Sequence, residues 1–376
     1  MTSIKAGMLT QIARRLREPA SRIHAWAVGQ AKRAAIQNAG LAPRGIHVFY
    51  GYDNLPTPRE VARGGIVKFQ RLSETFPNTP RAFNIIYLVS SAHPAYAEHL
   101  VSAAQRIGAK FVWNQDGVAY PAWMPSGWRA VNAKMARLLH SANHVFYQGE
   151  FSRTSSDEFL GRYCGPAEVL YNAVDTDRFR PIHPARTGGR LILLMTGSKY
   201  LFQRIDSPIR TLFRVRRLHS QARLIFAGRI PARFLRPARR LIAKLGLEQA
   251  ITFLPPFTQE EAPRLYGQAD ILLHPKANDP CPGVVVEAMA CGLPVVYSDS
   301  GGVPELVGTD AGEGVPTEAS WERFLAPEPE QWAEAVLTVA ENLPRYAQAA
   351  RQRAVDRFDL RPWVSRHHQV FERLLS

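Results

Sequence analysis

From Gly45 onward, short apolar runs alternate with segments whose apolar residues recur at helical spacing. The runs at 47–52, 83–89, 110–113, 144–147 and 168–171 predict strands, with helices near 59–75, 94–107, 128–141 and 150–161 between them. After Pro181 the chain passes through Ile182-His-Pro-Ala-Arg-Thr-Gly-Gly189, rich in breakers and poor in apolar residues, which predicts a linker over 182–189. The alternation then restarts. Strands are predicted at 191–195, 223–227, 251–254, 271–274 and 294–297, and helices near 207–219, 233–245, 259–267 and 283–291. Strands alternating with helices imply parallel sheets covered on both faces. No period of 20–50 residues repeats, which excludes a solenoid. The pattern fits an α/β protein of two doubly wound domains, 46–181 and 190–358. Ligands of such sheets bind beyond the carboxyl ends of the strands, here in the cleft between the domains.

Ahead of the first strand, residues 8–36 read as a helix with Met8, Ile12, Leu16, Ile23, Trp26 and Ala27 on one side, broken or kinked at Pro19. It belongs to a basic extension, 1–45, that carries eight cations against Glu18 alone. A second basic stretch, 210–245, holds ten Arg and one Lys with no acid. These two patches contribute +7 and +11 to a formal net charge of +15, so the remainder of the chain sums to −3. The basicity is two patches on a near-neutral body, which points to an anionic surface rather than to a protein basic throughout. A basic amphipathic helix suits an anionic membrane face, and a helix packed on its own domain with a solvated basic side accounts for the same pattern. Neither patch forms a known nucleic-acid motif, and no nucleic-acid partner is expected. Cys164, Cys281 and Cys291 lack paired spacing, which argues against a disulfide framework or a zinc site and for a reducing compartment. No apolar signal core or spanning stretch is present, so a cytoplasmic location is expected.

Candidate chemistry concentrates between His274 and Gly308. A buried strand ends at His274-Pro275, a loop carries Asp279, and Pro282 opens a helix that ends at Cys291-Gly292. The free N–H groups and positive dipole end of that helix suit a diphosphate. Glu287 lies about 7.5 Å along the axis from Pro282, roughly the span from a diphosphate to its ribose, whose vicinal hydroxyls a carboxylate accepts together. Asp279 lies on the other side of the helix start, where a sugar on the distal phosphate would sit. Spacing alone is equally compatible with a capping Asp279 and a structural, buried Glu287.

This segment resembles the E-x7-E signature of the family-4 retaining glycosyltransferases, with Glu287 at the second acid and Ala-Met-Ala-Cys-Gly-Leu-Pro-Val-Val following it. Asp279 stands at the first acid in place of Glu, and Pro282-Gly283 replaces a more common glycine-containing pair. Tyr171-Asn-Ala-Val-Asp-Thr-Asp-Arg-Phe-Arg-Pro181 is similar to the family's interdomain N-G-V-D-x-x-x-F-x-P segment, and Phe358, Trp363 and Phe371 to its terminal helix. The resemblance covers about 46–376. It implies a GT-B fold, two Rossmann-like domains facing a central cleft, with a terminal helix at about 359–376 packing back on the first domain.

By the same resemblance the protein is a hexosyl-type glycosyltransferase, retaining and independent of metal or other cofactor. It would move sugar from a nucleotide-sugar donor to a glycan or lipid-linked acceptor in cell-surface polysaccharide or glycoconjugate synthesis. Donor binding falls to Lys199 and Arg204 at the diphosphate, to the helix start at Pro282, Gly283 and Val284, to Glu287 at the ribose, and to the turn Gly64-Gly65. Asp279 would face the sugar. Many relatives place a His beyond the third strand of the first domain; Asn114-Gln115-Asp116-Gly117 stands there instead, which makes Asp116, or Gln115, the candidate for the reacting sugar. An epimerase or phosphorylase of the same fold is the alternative activity. A dinucleotide dehydrogenase is excluded by the lack of G-x-G-x-x-G after a first strand.

Overall fold

A computed structural model describes residues 24–62, 64–182, 190–197, 199 and 201–376. The predicted linker, apart from Ile182, lies outside the described residues, as does the predicted N-terminal helix through Ile23.

The first domain runs α1 (24–39), β1 (Val48–Phe49), α2 (Gly64–Ser73), β2 (Ile85–Val89), α3 (Ala97–Arg106), β3 (Lys110–Gln115), α4 (Trp128–His140), β4 (His144–Tyr147), α5 (Glu150–Leu160) and β5 (Ala167–Val169). The second runs β6 (Ile192–Met195), α6 (Gln203–Val215), β7 (Arg223–Ala227), α7 (Ala232–Lys244), β8 (Ile251–Leu254), α8 (Ala262–Tyr266), β9 (Ile271–His274), α9 (Gly283–Ala290), β10 (Val295–Asp299), α10 (Val303–Val307) and β11 (Gly312–Pro316). Helices α11 (Pro329–Glu341), α12 (Leu343–Phe358) and α13 (Leu360–Leu375) close the chain. The central strands are buried along their whole length and read as continuous apolar runs because helices cover both faces.

Both sheets are parallel. The second has the order β11-β10-β9-β6-β7-β8, so winding reverses between β6 and β9. The first has the order β1-β2-β3-β4-β5, and its reversal is reduced to a bridge on the far side of β1, where Val48 pairs with Asn78. From β1 the chain goes through α2 to Asn78 on one side, then returns to β2 on the other. Each domain therefore has a switch point, the crevice where such sheets bind ligands.

One face of the first sheet packs α3, α4 and Ile36 of α1; the other packs Phe69 and Leu72 of α2 with Trp363, Val370 and Phe371 of α13. The terminal helix thus covers one face of the first sheet. The described part of α1 is docked rather than free. Ile36 is 1% exposed, Lys32 ion-pairs with Asp53, and a Cβ on Gly29 would come within 2.7 Å of His99 Cδ2. Trp26 remains exposed.

The domains also grip each other outside the cleft. Glu305 of α10 accepts the N–H groups of Glu150 (2.8 Å) and Phe151 (2.7 Å) at the start of α5, an acid placed on a positive helix end. Trp321, in the loop after β11, packs edge-on against Tyr120 and Phe159 of the first domain with ring centroids 4.9 and 5.1 Å away.

Candidate active site

The loop between β9 and α9 needs special backbone. Asn278 adopts φ 54°, and its N–H donates to Ser300 Oγ at 3.1 Å. Gly301, with φ 74°, approaches so closely that a Cβ would sit 2.7 Å from Asp279 N, and one on Gly302 would meet the Pro280 carbonyl oxygen at 1.9 Å. Only glycine admits this contact, and it presses Asp279 against the start of α9. The helix has Pro282 as an extended N-cap with no side-chain hydrogen bond, so its first amides are open to a ligand. Gly292, with φ 78°, ends it, and the Leu293 N–H reaches back 2.9 Å to the Ala288 carbonyl in a Schellman closure.

Glu287 sits on the buried side of α9, 3% exposed. Its Oε1 accepts from Arg71 of α2 (2.8 Å) and Gln259 (3.2 Å), and its Oε2 from the Tyr266 hydroxyl (3.0 Å). The Arg71 contact crosses the cleft and is a bidomain ion pair with both side chains mostly buried, 12% and 4% exposed. Gln259 also accepts from Arg71 at 3.3 Å.

Asp279, 7% exposed, accepts from His274 Nε2 (3.1 Å) and Lys276 Nζ (2.9 Å). Burial alone would raise its pKa, but Lys276 and His274 outweigh burial and hold the carboxyl well below the usual carboxylate range. Tyr120 of the first domain faces it; burial first, then the Asp279 charge, pushes that phenol up to about 12. Arg204 of α6 lies close to both. Burial lowers its pKa, partly offset by Asp279 and Tyr120.

Two predicted residues occupy different roles. Lys199, expected at the diphosphate, is fully buried and turned inward, where its Nζ donates to the carbonyls of Met195 (3.2 Å), Gly197 (2.8 Å) and Ala227. It ties the ends of β6 and β7 together instead of reaching the cleft, and burial draws its pKa down to about 7. Asp116, a candidate for the reacting sugar, is held by the Ser90 and Ser91 hydroxyls and by the Gly117 N–H at 3.0 Å, which fastens the loop after β3 to the loop after β2. Gln115 is also consumed: it accepts from Trp113 Nε1 at 2.7 Å and donates to the Gly117 carbonyl at 2.7 Å. Gly64 and Gly65 begin α2 with distinct duties. A Cβ on Gly65 would lie 2.6 Å from Ala92 Cβ, whereas Gly64 faces open space.

A polar relay links α13 to the site, with Asn172 donating toward both ends. His367 Nδ1 donates to the Trp363 carbonyl (2.8 Å), so its Nε2 accepts from the Tyr87 hydroxyl (3.1 Å). Asn114 Nδ2 donates to that hydroxyl (3.0 Å), Gln148 to Asn114 Oδ1 (2.6 Å), and Asn172 to Gln148 Oε1 (3.0 Å) and to the Cys281 carbonyl at the threshold of α9. Arg71, Tyr120, Gln259, Tyr266, Lys276 and this relay were not singled out in the sequence, because only spatial convergence sets them apart. Among the described residues, no group of three or more His, Cys, Asp or Glu side chains is arranged to hold a metal ion.

Residues 190–342 match the family model of the glycosyl transferases group 1. A D-inositol 3-phosphate glycosyltransferase from Mycobacterium sp. (strain JLS) is 32% identical over 146 residues, 37% of this chain and 33% of the relative. A GDP-mannose-dependent alpha-(1-6)-phosphatidylinositol monomannoside mannosyltransferase from Mycolicibacterium smegmatis is 29% identical over 48% of this chain and 51% of its own length. The chain therefore spans about a third to a half of the curated relatives it matches. Among solved structures, Anabaena Alr3699/HepE in complex with UDP and glucose superposes with a TM-score of 0.62 at 19% identity, over 77% of this chain and 78% of that one. Sucrose-phosphate synthase from Thermosynechococcus elongatus gives 0.63 at 17% identity, over 82% and 76%. The fold is GT-B, and the stretch 190–342 that matches the glycosyl transferases group 1 model falls on its second domain.

Proposed function

We propose that the protein is a family-4 retaining glycosyltransferase, which moves a hexosyl group from a nucleotide sugar to a glycan or lipid-linked acceptor without a metal ion. The observation that carries the reading is the order of features along α9. An uncapped helix start lies at the switch point of the second sheet, with Asp279 before it and Glu287 on its buried side, all facing the switch point of the first sheet. The diphosphate would bind the amides of Gly283 and Val284 with Arg204 nearby. The ribose would donate to Glu287 in place of Arg71, and the sugar would lie against Asp279. The bond from the anomeric carbon to the departing phosphate breaks as the acceptor oxygen bonds on the same face, and the acceptor's proton passes to that phosphate. The protein's contribution is positioning and stabilisation of the growing negative charge. With Lys199 committed to carbonyls, Arg204 and the helix start supply the second domain's share of positive charge.

The D-inositol 3-phosphate and phosphatidylinositol monomannoside in the relatives' names support an acceptor of glycoconjugate type. The exposed arginines of α7 (Arg233, Arg236, Arg239, Arg240) support a peripheral location at an anionic membrane on the cytoplasmic side. Among the described residues, no helix is long and apolar enough to cross a membrane.

The test is incubation with UDP-, GDP- and ADP-sugars, reading thermal stabilisation and then product mass with and without acceptor. The expected result is stabilisation by one nucleotide class and an acceptor-dependent product with the anomeric configuration retained. Turnover of the nucleotide sugar to an epimer, or to a sugar phosphate, without acceptor would replace transfer with the alternative chemistry. Indifference to all nucleotide sugars would remove the reading altogether.

A further inference from the structure

Helix α2 carries Gly65, Lys68, Phe69 and Leu72 at i, i+3, i+4 and i+7, the buried phase of an amphipathic helix. Three of the four are explained by packing. Gly65 lies against Ser91 and Ala92, and Phe69 and Leu72 enter the core. Lys68 is different. It is 5% exposed, among the described residues no hydrogen bond or ion pair engages it, and its ammonium is not one of the fully buried polar atoms left without a partner. Its electrostatic neighbours are Asp116, Cys281 and Arg71. Asp116 is already engaged by two serine hydroxyls, and Cys281 immediately precedes the N-cap of α9.

The register of α2 against α9 fixes where Lys68 points. One turn further along α2, Arg71 reaches Glu287 in the second turn of α9 at 2.8 Å. One turn back, Lys68 falls opposite the first turn, whose amides have no side-chain cap. The Lys68 ammonium thus faces a positive helix end across the cleft, with Asp116 as the negative charge nearby, and an anion seated between ammonium and helix end would be attracted by both. Burial lowers the Lys68 pKa and Arg71 lowers it further, while Asp116 and Cys281 act in the opposite sense.

We propose that Lys68 is the first domain's contact to the donor phosphates, closing with the first turn of α9 a clamp whose halves come from different domains. This rests on the nucleotide-sugar reading above. It gives the first domain a direct part in holding the leaving group, and supplies from across the cleft the cation that Lys199 does not provide.

The experiment titrates UDP, GDP, uridine, guanosine and inorganic pyrophosphate into the full chain as wild type, Lys68→Met and Lys68→Arg. The diphosphate that the wild type binds is expected to lose about tenfold to a hundredfold in affinity in Lys68→Met. Affinity for the matching nucleoside should stay unchanged, and Lys68→Arg should retain most of the diphosphate affinity. Without ligand, Lys68→Met should unfold at the wild-type temperature or above it. Equal diphosphate affinity in wild type and Lys68→Met overturns the assignment and leaves the nucleotide reading standing. A ligand-free Lys68→Met that unfolds earlier marks a structural lysine and overturns it too. A wild type that binds no diphosphate removes both.

Discussion

Lys199, at the end of β6, hands its protons to three carbonyls, whereas Lys68, across the cleft on α2, is buried almost as deeply with no such partner. The first arrangement meets the rule that buried charge is hydrogen-bonded; the second leaves the ammonium at the mouth of an uncapped helix, beside Asp116 and not itself a fully buried unpartnered atom. A satisfied buried cation stabilises a loop, here the crossing of the chain over the ends of β6 and β7. A lysine that no carbonyl engages, set at the mouth of a cleft, is placed to meet a ligand there. The two lysines therefore separate scaffold from site on physical grounds, and substitution can test that separation.

The largest effect should come from Glu287→Ala. It strands Arg71 and the Tyr266 hydroxyl, and a buried pair broken on one side costs about 3–5 kcal/mol. Denaturant midpoints should show that loss, and sugar transfer should disappear. Transfer at wild-type rate would remove Glu287 from the site. Next, Lys199→Met leaves the carbonyls of Met195, Gly197 and Ala227 short of a donor and should cost about 1–3 kcal/mol. Lys68→Met should cost nothing in the same assay. If the order reversed, the contrast between the two lysines would be lost.

A pH slope is expected independently of these substitutions. Burial first, and then the His144 charge, pulls His367 down to about 3, and burial pulls His144 itself down to about 4. The unfolded chain takes up protons near pH 6.5 and the folded chain only well below it. Stability is therefore full above about pH 6.5 and declines as pH falls toward 3. Urea midpoints at pH 7.5 and 5 should differ in that direction, and His367→Gln should flatten part of the difference. An unchanged slope would show that His367 carries none of it.

The strands at the heart of both sheets were legible because burial on two faces writes them as unbroken apolar runs. Strand β11 was not: its sequence is Gly-Glu-Gly-Val-Pro, and Gly312 is required there because a Cβ would meet the Val295 carbonyl oxygen at 2.0 Å. Helix α6 starts at Gln203, a turn before the predicted 207, because Pro208 reads as a helix start yet lies inside the helix. Asp279 and Glu287 were singled out through the resemblance of the segment around α9, since their spacing alone fitted structural roles equally well. Lys199 was misplaced because a lysine after a donor-domain strand looks the same in sequence whether it faces in or out. Lys68 carried a usable signal, a charge in the apolar phase of an amphipathic helix, but its meaning depends on what stands across the cleft. Arg71, Gln259 and Tyr266 converge on Glu287 from separate elements, and no local pattern announces that convergence.

The central claim is that Glu287 receives the ribose hydroxyls of a nucleoside diphosphate seated at the start of α9. Calorimetric titration of wild type and Glu287→Gln with UDP or GDP, each against its 2′,3′-dideoxy counterpart, tests it most directly. The wild type should prefer the ribose form by about tenfold or more, and Glu287→Gln should lose most of that preference. A wild type that binds both forms equally, or a preference that survives in Glu287→Gln, would contradict the account.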